Sequence, residues 1–227
     1  MNTNKNTNTI GVFLGSFNPS HIGHEHIITS AWNSNVFDKI YIIPAYQNPW
    51  KCSQTNYPTY DERLHMCHMM FDNLNSNIIV SDFENTHHNN ILNNTDSTSY
   101  TYEMLHDFEK TLNCHVNIIT TCETFMDIIN WHCGVEMLNE FNYYIINDMS
   151  DNWNAFIKYI QHHKDVNYKL INSDGIPDGN ITTNISSTKI RTLFEDYYML
   201  KNSFIIPHYT SDEIIKYIKE KHFYENM

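Results

Sequence analysis

An apolar run, Ile10-Gly-Val-Phe-Leu14, breaks at Gly15-Ser16 and enters Phe17-Asn18-Pro19-Ser20. Its β-branched and aromatic residues favour a buried strand, and Gly15 and Pro19 bring a tight loop after it. From His21 onward Ile22, His26, Ile27 and Trp32 recur among polar residues, which is the spacing of a helix. A strand, a tight loop and a helix in succession commit the chain to alternating α/β structure. The first turn of such a helix has unpaired N–H groups and a partial positive charge, so the loop is ready-made for an anion.

The pattern repeats downstream. Ile40–Ile43, Ile78–Val80, Val116–Ile119, Tyr143–Ile146 and Tyr168–Ile171 read as further strands. Thr59–Asn73 reads as an amphipathic helix with Thr59 as N-cap, and Tyr102–Leu112 as another. Thr124–Cys133 is helical or turn-like. Helices begin at Ser187, running to about Glu195, and at Ser211. Glu84–Ser99 is polar, Asn-rich and aperiodic, and is expected to be a surface loop. The expected fold is a Rossmann-like, doubly wound parallel sheet with helices on both faces, whose ligands bind beyond the carboxyl ends of the strands. Met1–Thr9 is expected to be a disordered Asn-rich tail, and 10–227 one domain.

Composition limits the partners. Fourteen Lys and Arg against 26 Asp and Glu give a net charge of −12, which argues against a nucleic acid as partner. A local cluster can still hold a small anion. Hydrophobic residues make up 41% of the chain, enough for a real core. No apolar run approaches the roughly 18 residues of a membrane span, and the N-terminus lacks secretory or transit features. The five scattered cysteines contain no C-x-x-C and fit reduced thiols in a cytoplasmic protein. The 31 asparagines read as codon bias.

Two segments carry the chemistry. In Gly15-Ser-Phe-Asn-Pro-Ser-His-Ile-Gly-His24, His21 and His24 stand three apart and share one face of the first helical turn. Gly23 leaves room for a ligand to approach the backbone. Paired imidazoles at a helix N-terminus suit phosphate oxygens and a transition state that gathers charge. A zinc reading of His21, His24 and His26 fails, because His26 projects from another face and no Cys or Asp completes a tetrahedron. In Ile185-Ser-Ser-Thr-Lys-Ile-Arg191, the hydroxyls of Ser187 and Thr188 and the N–H groups of a second helix start form another oxyanion nest. Arg191, one turn on, can fork onto the same phosphate. Each segment alone could be an ordinary capped helix; together they can grip one triphosphate.

The H-x-G-H at His21–His24 resembles the signature of the nucleotidyltransferase superfamily. The segment Gly15–His24 and the I-S-S-T-x-I-R ending resemble the pyridine-nucleotide adenylyltransferases, of the bacterial, nicotinate mononucleotide type. The resemblance implies adenylyl transfer from ATP to nicotinate mononucleotide, yielding the deamido dinucleotide and pyrophosphate for NAD biosynthesis. It implies Mg²⁺ with ATP and no metal ligated by the chain itself. It also implies His21, His24, Lys51 and Arg191 as catalytic residues. Gly15, Ser16, Phe17, Asn18, Glu123, Ser187 and Thr188 would bind ATP. Ser99, Tyr100, Thr101, Trp131 and His132 would bind the mononucleotide, with Trp131 stacking on the pyridine ring. Lys51 follows Asn48-Pro49-Trp50, where the family has P-H-K.

Two segments depart from the family. Thr120–Phe125 (TTCETF) replaces its G-x-D segment, with Glu123 for Asp. Asn147-Asp148-Met149 replaces an Arg-rich turn. The alternatives are the amide mononucleotide as substrate, another transferase such as phosphopantetheine adenylyltransferase, or a non-catalytic nucleotide sensor. A homo-oligomer is compatible with the sequence.

Overall fold

The computed structural model describes residues 8–46, 56–92, 100–147, 153–162, 166–172, 185–200 and 206–225. Lys51, Ser99, residues 1–7 of the expected tail and the Asp148-Met149 turn lie outside them. In chain order the elements are β1 (Ile10–Gly15), α1 (Ile22–Asn33), β2 (Lys39–Pro44), α2 (Tyr60–Phe71), β3 (Ile78–Val80), α3 (Phe83–Leu92) and α4 (Thr101–Leu112). There follow β4 (Val116–Thr121), α5 (Cys122–Asp127), a 3₁₀ turn (Ile128–Asn130), α6 (Gly134–Glu140) and β5 (Asn142–Asn147). The last are α7 (Trp153–His162), β6 (Tyr168–Asn172), α8 (Ser187–Met199) and α9 (Asp212–Lys221).

All six strands pair in parallel, in the order β3-β2-β1-β4-β5-β6. This is the expected doubly wound sheet. The order reverses between β1 and β4, so their carboxyl ends splay and leave the ligand crevice. Alternation along each strand feeds two cores. On one face Phe13, Ile42 and Ile146 pack with Ile28, Phe71, Phe194 and Ile214 from α1, α2, α8 and α9. On the other, Val12, Ile118 and Ile145 pack with Met104, Phe125, Met137 and Phe156 from α4 to α7. Each such side chain contributes about 1.5–3 kcal/mol when fully buried.

Caps fix the helix starts. Thr59 accepts from Glu62 N while the Glu62 carboxylate accepts from Thr59 N, a reciprocal capping box. Ser211 caps α9 through Ile214 N, and Ser186, one residue before the expected start, caps α8 through Lys189 N. Among the described residues no helix is long and apolar enough to cross a membrane.

One expectation is overturned. Of Glu84–Ser99, expected to be a surface loop, residues 84–92 lie in α3 (Phe83–Leu92), with Glu84, His87 and His88 buried. Polar residues can be buried there because each has a partner. Glu84 Oε1 accepts from Tyr46 N at 3.1 Å, His87 Nε2 lies 3.1 Å from Asp107 Oδ2, and the His88 ring stacks on Tyr46.

Candidate active site

β1 delivers Gly15 to the crevice, and the chain then turns through Phe17, whose φ of 45° is left-handed. The Phe17 ring is buried and meets His24 edge-on, 4.9 Å between centroids. That hydrophobic anchor holds the loop against the sheet. His21 is the residue before α1, with extended backbone. The His21 and His24 rings stack, 3.6 Å between centroids and 21° between planes. A side chain on Gly23 would sit 3.0 Å from Cε1 and Nδ1 of His21, so glycine there lets the His21 ring fold over the helix start.

The hydrogen bonding settles one tautomer. His21 N donates to His24 Nδ1 at 3.2 Å. A backbone N–H only donates, so Nδ1 is unprotonated and the neutral His24 ring carries its hydrogen on Nε2. His21 Nδ1 is buried and has no hydrogen-bond partner among the described residues. Burial pushes His21 down to about 4, and burial followed by the neighbouring His21 pushes His24 well below its ordinary range. The unliganded pair is therefore neutral at pH 7.

The loop is gripped through its backbone carbonyls. Arg191, buried, donates through Nη1 to Asn18 O at 2.8 Å and through Nη2 to Thr188 Oγ1 at 2.9 Å. Ser187 Oγ donates to Pro19 O at 2.9 Å. In this arrangement Arg191 and Ser187 tie α8 to the loop, a use of these side chains that the sequence did not suggest. From the other side Arg63 donates to Ser16 O and Tyr46 O, both at 2.7 Å. Tyr224 O–H donates to Asn18 Oδ1 at 2.7 Å, and Thr210 Oγ1 to Ser20 O at 2.8 Å. Arg63, Thr210 and Tyr224 escaped the sequence reading. The available signal was that Arg63 is one of only two arginines in the chain.

Across the crevice, β4 ends at Thr121, whose hydroxyl accepts from Thr124 N and starts α5. Glu123 is exposed on α5. Glu123, Thr124, Met126, Asp127 and Trp131 line an open cleft of about 580 Å³. Trp131 Nε1 donates to Asp127 Oδ2 at 3.1 Å, which holds the indole in place. Tyr100 and Thr101 open α4, and the Tyr100 ring stacks on His132 with centroids 4.1 Å apart. The fold thus brings Glu123 and Trp131 to one cleft, and Tyr100 to His132.

A family model described as cytidylyltransferase-like matches residues 12–193, a span that includes both motifs. The chain belongs to the cytidylyltransferase-like family. Among relatives of this cytidylyltransferase-like chain, a protein of Sulfurovum sp. named a probable nicotinate-nucleotide adenylyltransferase is 35% identical over 36% of the chain and 42% of its own length. The chain therefore spans less than half of that relative. A protein of Cytophaga hutchinsonii with the same name is 26% identical over 96% of the chain and 98% of its own length. The nicotinic acid mononucleotide adenylyltransferase of Plasmodium falciparum, in complex with NaAD, superposes with a TM-score of 0.72 at 20% identity. That match covers 96% of this chain and 97% of the other, so the two share a fold.

Proposed function

We propose that the chain transfers the adenylyl group of ATP to nicotinate mononucleotide, releasing pyrophosphate. The observation that carries this reading is the stacked, neutral His21–His24 pair at the carboxyl end of β1. It supplies hydrogen-bond donors where a triphosphate would lie, with one buried ring nitrogen awaiting a partner. The relatives' names, and the dinucleotide bound by the Plasmodium falciparum structure, support the same substrates.

The 5′-phosphate oxygen of the mononucleotide attacks the α-phosphorus of ATP in line, and the bond to the pyrophosphate oxygen breaks. The nucleophile is already anionic, so no protein base is needed, and catalysis is positioning plus charge stabilisation. His24 Nε2–H donates to the polyphosphate without reorganising. An incoming polyanion also favours the protonated imidazole at His21, whose Nδ1 has no partner among the described residues, while His24 keeps the tautomer that accepts from His21 N. Arg191 and Lys51, the latter outside the described residues, would add cationic charge at the leaving group, while Ser187, Thr188 and the loop from Gly15 to Asn18 would shape the phosphate pocket. Glu123, exposed in the cleft, would accept from ribose hydroxyls. The loop offers imidazole and N–H donors, which suit phosphate and not a hard cation, so Mg²⁺ would be held by the triphosphate itself and would supply charge neutralisation there.

Tyr100, Thr101, Trp131 and His132 would frame the pyridine subsite, together with Ser99, which lies outside the described residues. Tyr100, Thr101, Trp131 and His132 offer hydroxyls and flat rings, none is a Lys or Arg, and Trp131 and His132 pair with the Asp127 and Glu103 carboxylates, so selection for the acid is partial. The test supplies purified protein with ATP and either the acid or the amide mononucleotide, and follows dinucleotide and pyrophosphate. Release of both products with a higher kcat/KM for the acid is expected. A preference for the amide, or nucleotide binding with no turnover, would refute the reading.

A further inference from the structure

The chain contains no zinc-type spacing, yet the fold assembles a mixed ligand set. Glu103 lies in the first turn of α4, and His132 and Cys133 lie between the 3₁₀ turn and α6. One ligand atom from each, a carboxylate oxygen, a ring nitrogen and the Sγ, fall within 4.8 Å of one another. His132 Nε2 is 3.1 Å from Glu103 Oε1. Two such atoms bound to a tetrahedral zinc, each at about 2.0–2.1 Å, stand about 3.3–3.4 Å apart, so this pair is near coordination spacing. The other oxygen, Glu103 Oε2, is buried and has no hydrogen-bond partner among the described residues.

The surroundings favour a cation. Glu136 and Glu140 of α6 and Glu103 of α4 lie close enough to Cys133 to act on it electrostatically, so the ligand set sits in an acidic surrounding. Glu140 is itself occupied by Tyr102 O–H and His106, each at 3.1 Å. A divalent metal would relieve the repulsion and take the thiolate, releasing the thiol proton to solvent.

We propose that Glu103, His132 and Cys133 form a cation site of zinc type, with water in the fourth position. Oxygen, nitrogen and sulfur donors together suit zinc and reject magnesium, so this site is separate from the cation carried by ATP. The metal would tie α4 to the start of α6 and fix the His132 ring under Tyr100. Its existence does not depend on which mononucleotide is the substrate.

The test uses the full chain, reduced and freed of metal by chelation, and titrated with Co²⁺. One equivalent is expected to produce a sulfur-to-cobalt charge-transfer band with tetrahedral d–d absorption, and Zn²⁺ should displace it. Cys133→Ala should lose the charge-transfer band. Glu103→Gln should keep it and bind Co²⁺ about tenfold or more weakly. As a check that needs no variant, Zn²⁺ should protect Cys133 of the wild-type chain, and not Cys114, from alkylation mapped by mass spectrometry. A wild-type chain without the band, a band that survives Cys133→Ala, or equal alkylation of Cys133 with and without Zn²⁺ would overturn the proposal.

Discussion

Arg63 and Arg191 grip the same loop two residues apart, Arg63 on the Ser16 carbonyl and Arg191 on the Asn18 carbonyl. They are the chain's only arginines, and both are buried. A guanidinium bridges two acceptors with fixed geometry, which an ammonium cannot do. The loop therefore comes pre-shaped for its anion.

Arg191→Lys should keep the positive charge and lose the bridge from Asn18 O to Thr188 Oγ1. Loss of charged, buried hydrogen bonds should lower stability by about 1.5–3 kcal/mol, measured by urea unfolding. The KM for ATP should rise more than that for the mononucleotide. Unchanged stability would show that the bridge contributes nothing. Equal changes in both KM values would leave Arg191 with a structural part alone.

Gly23→Ala places a methyl group 3.0 Å from the His21 ring. The helix itself should tolerate alanine, which is favoured by up to about 1 kcal/mol over glycine. Displacement of the ring should cost roughly 10- to 100-fold in kcat/KM, while the melting temperature holds. Full activity in a folded Gly23→Ala protein would mean that the His21 position is not critical.

The histidines also set a pH signature. His21 sits at about 4 in the folded chain and near 6.5 when unfolded. The unfolded chain therefore binds this proton first as pH falls. The contribution of His21 to stability is constant above about pH 6.5 and is lost progressively toward pH 4, by about 3 kcal/mol there. Glu84, which burial raises to about 7, acts in the opposite direction between its unfolded value and 7. The difference between wild type and His21→Asn isolates the histidine. It should change steeply between pH 6.5 and 4 in urea titrations, and a flat difference would contradict the burial argument.

Much of this was legible in the residues themselves. Every expected strand formed within two residues of its expected ends, because the β-branched and aromatic runs are short and bounded by polar or turn residues. Thr59 and Ser211 acted as N-caps. The pairing of His21 with His24 followed from their spacing. What failed was the reading of polarity as exposure. Glu84, His87 and His88 look like loop residues, and only partners distant in sequence, Tyr46 and Asp107, make their burial tolerable. The same limit hid Tyr224, whose hydroxyl reaches Asn18 across 206 positions. It also hid α6, whose N-cap residue Cys133 offers no capping side chain.

Glu84→Ala should therefore destabilise the chain by about 1–3 kcal/mol, since it strips the acceptor from Tyr46 N beside the buried Arg63. Glu84→Gln keeps an acceptor oxygen and should cost under about 1 kcal/mol. Equal losses for the two, measured by thermal or urea unfolding, would show that the charge of Glu84 matters more than its hydrogen bond.

In the proposed mechanism the stacked histidines stabilise the transition state of adenylyl transfer. The most direct measurement is the single-turnover rate of His24→Ala with saturating ATP and nicotinate mononucleotide, on protein whose circular dichroism and melting match wild type. A rate lower by about 100-fold or more is predicted, as for loss of a preorganised electrostatic donor. An unchanged rate in that folded protein would show that His24 has no part in the transition state.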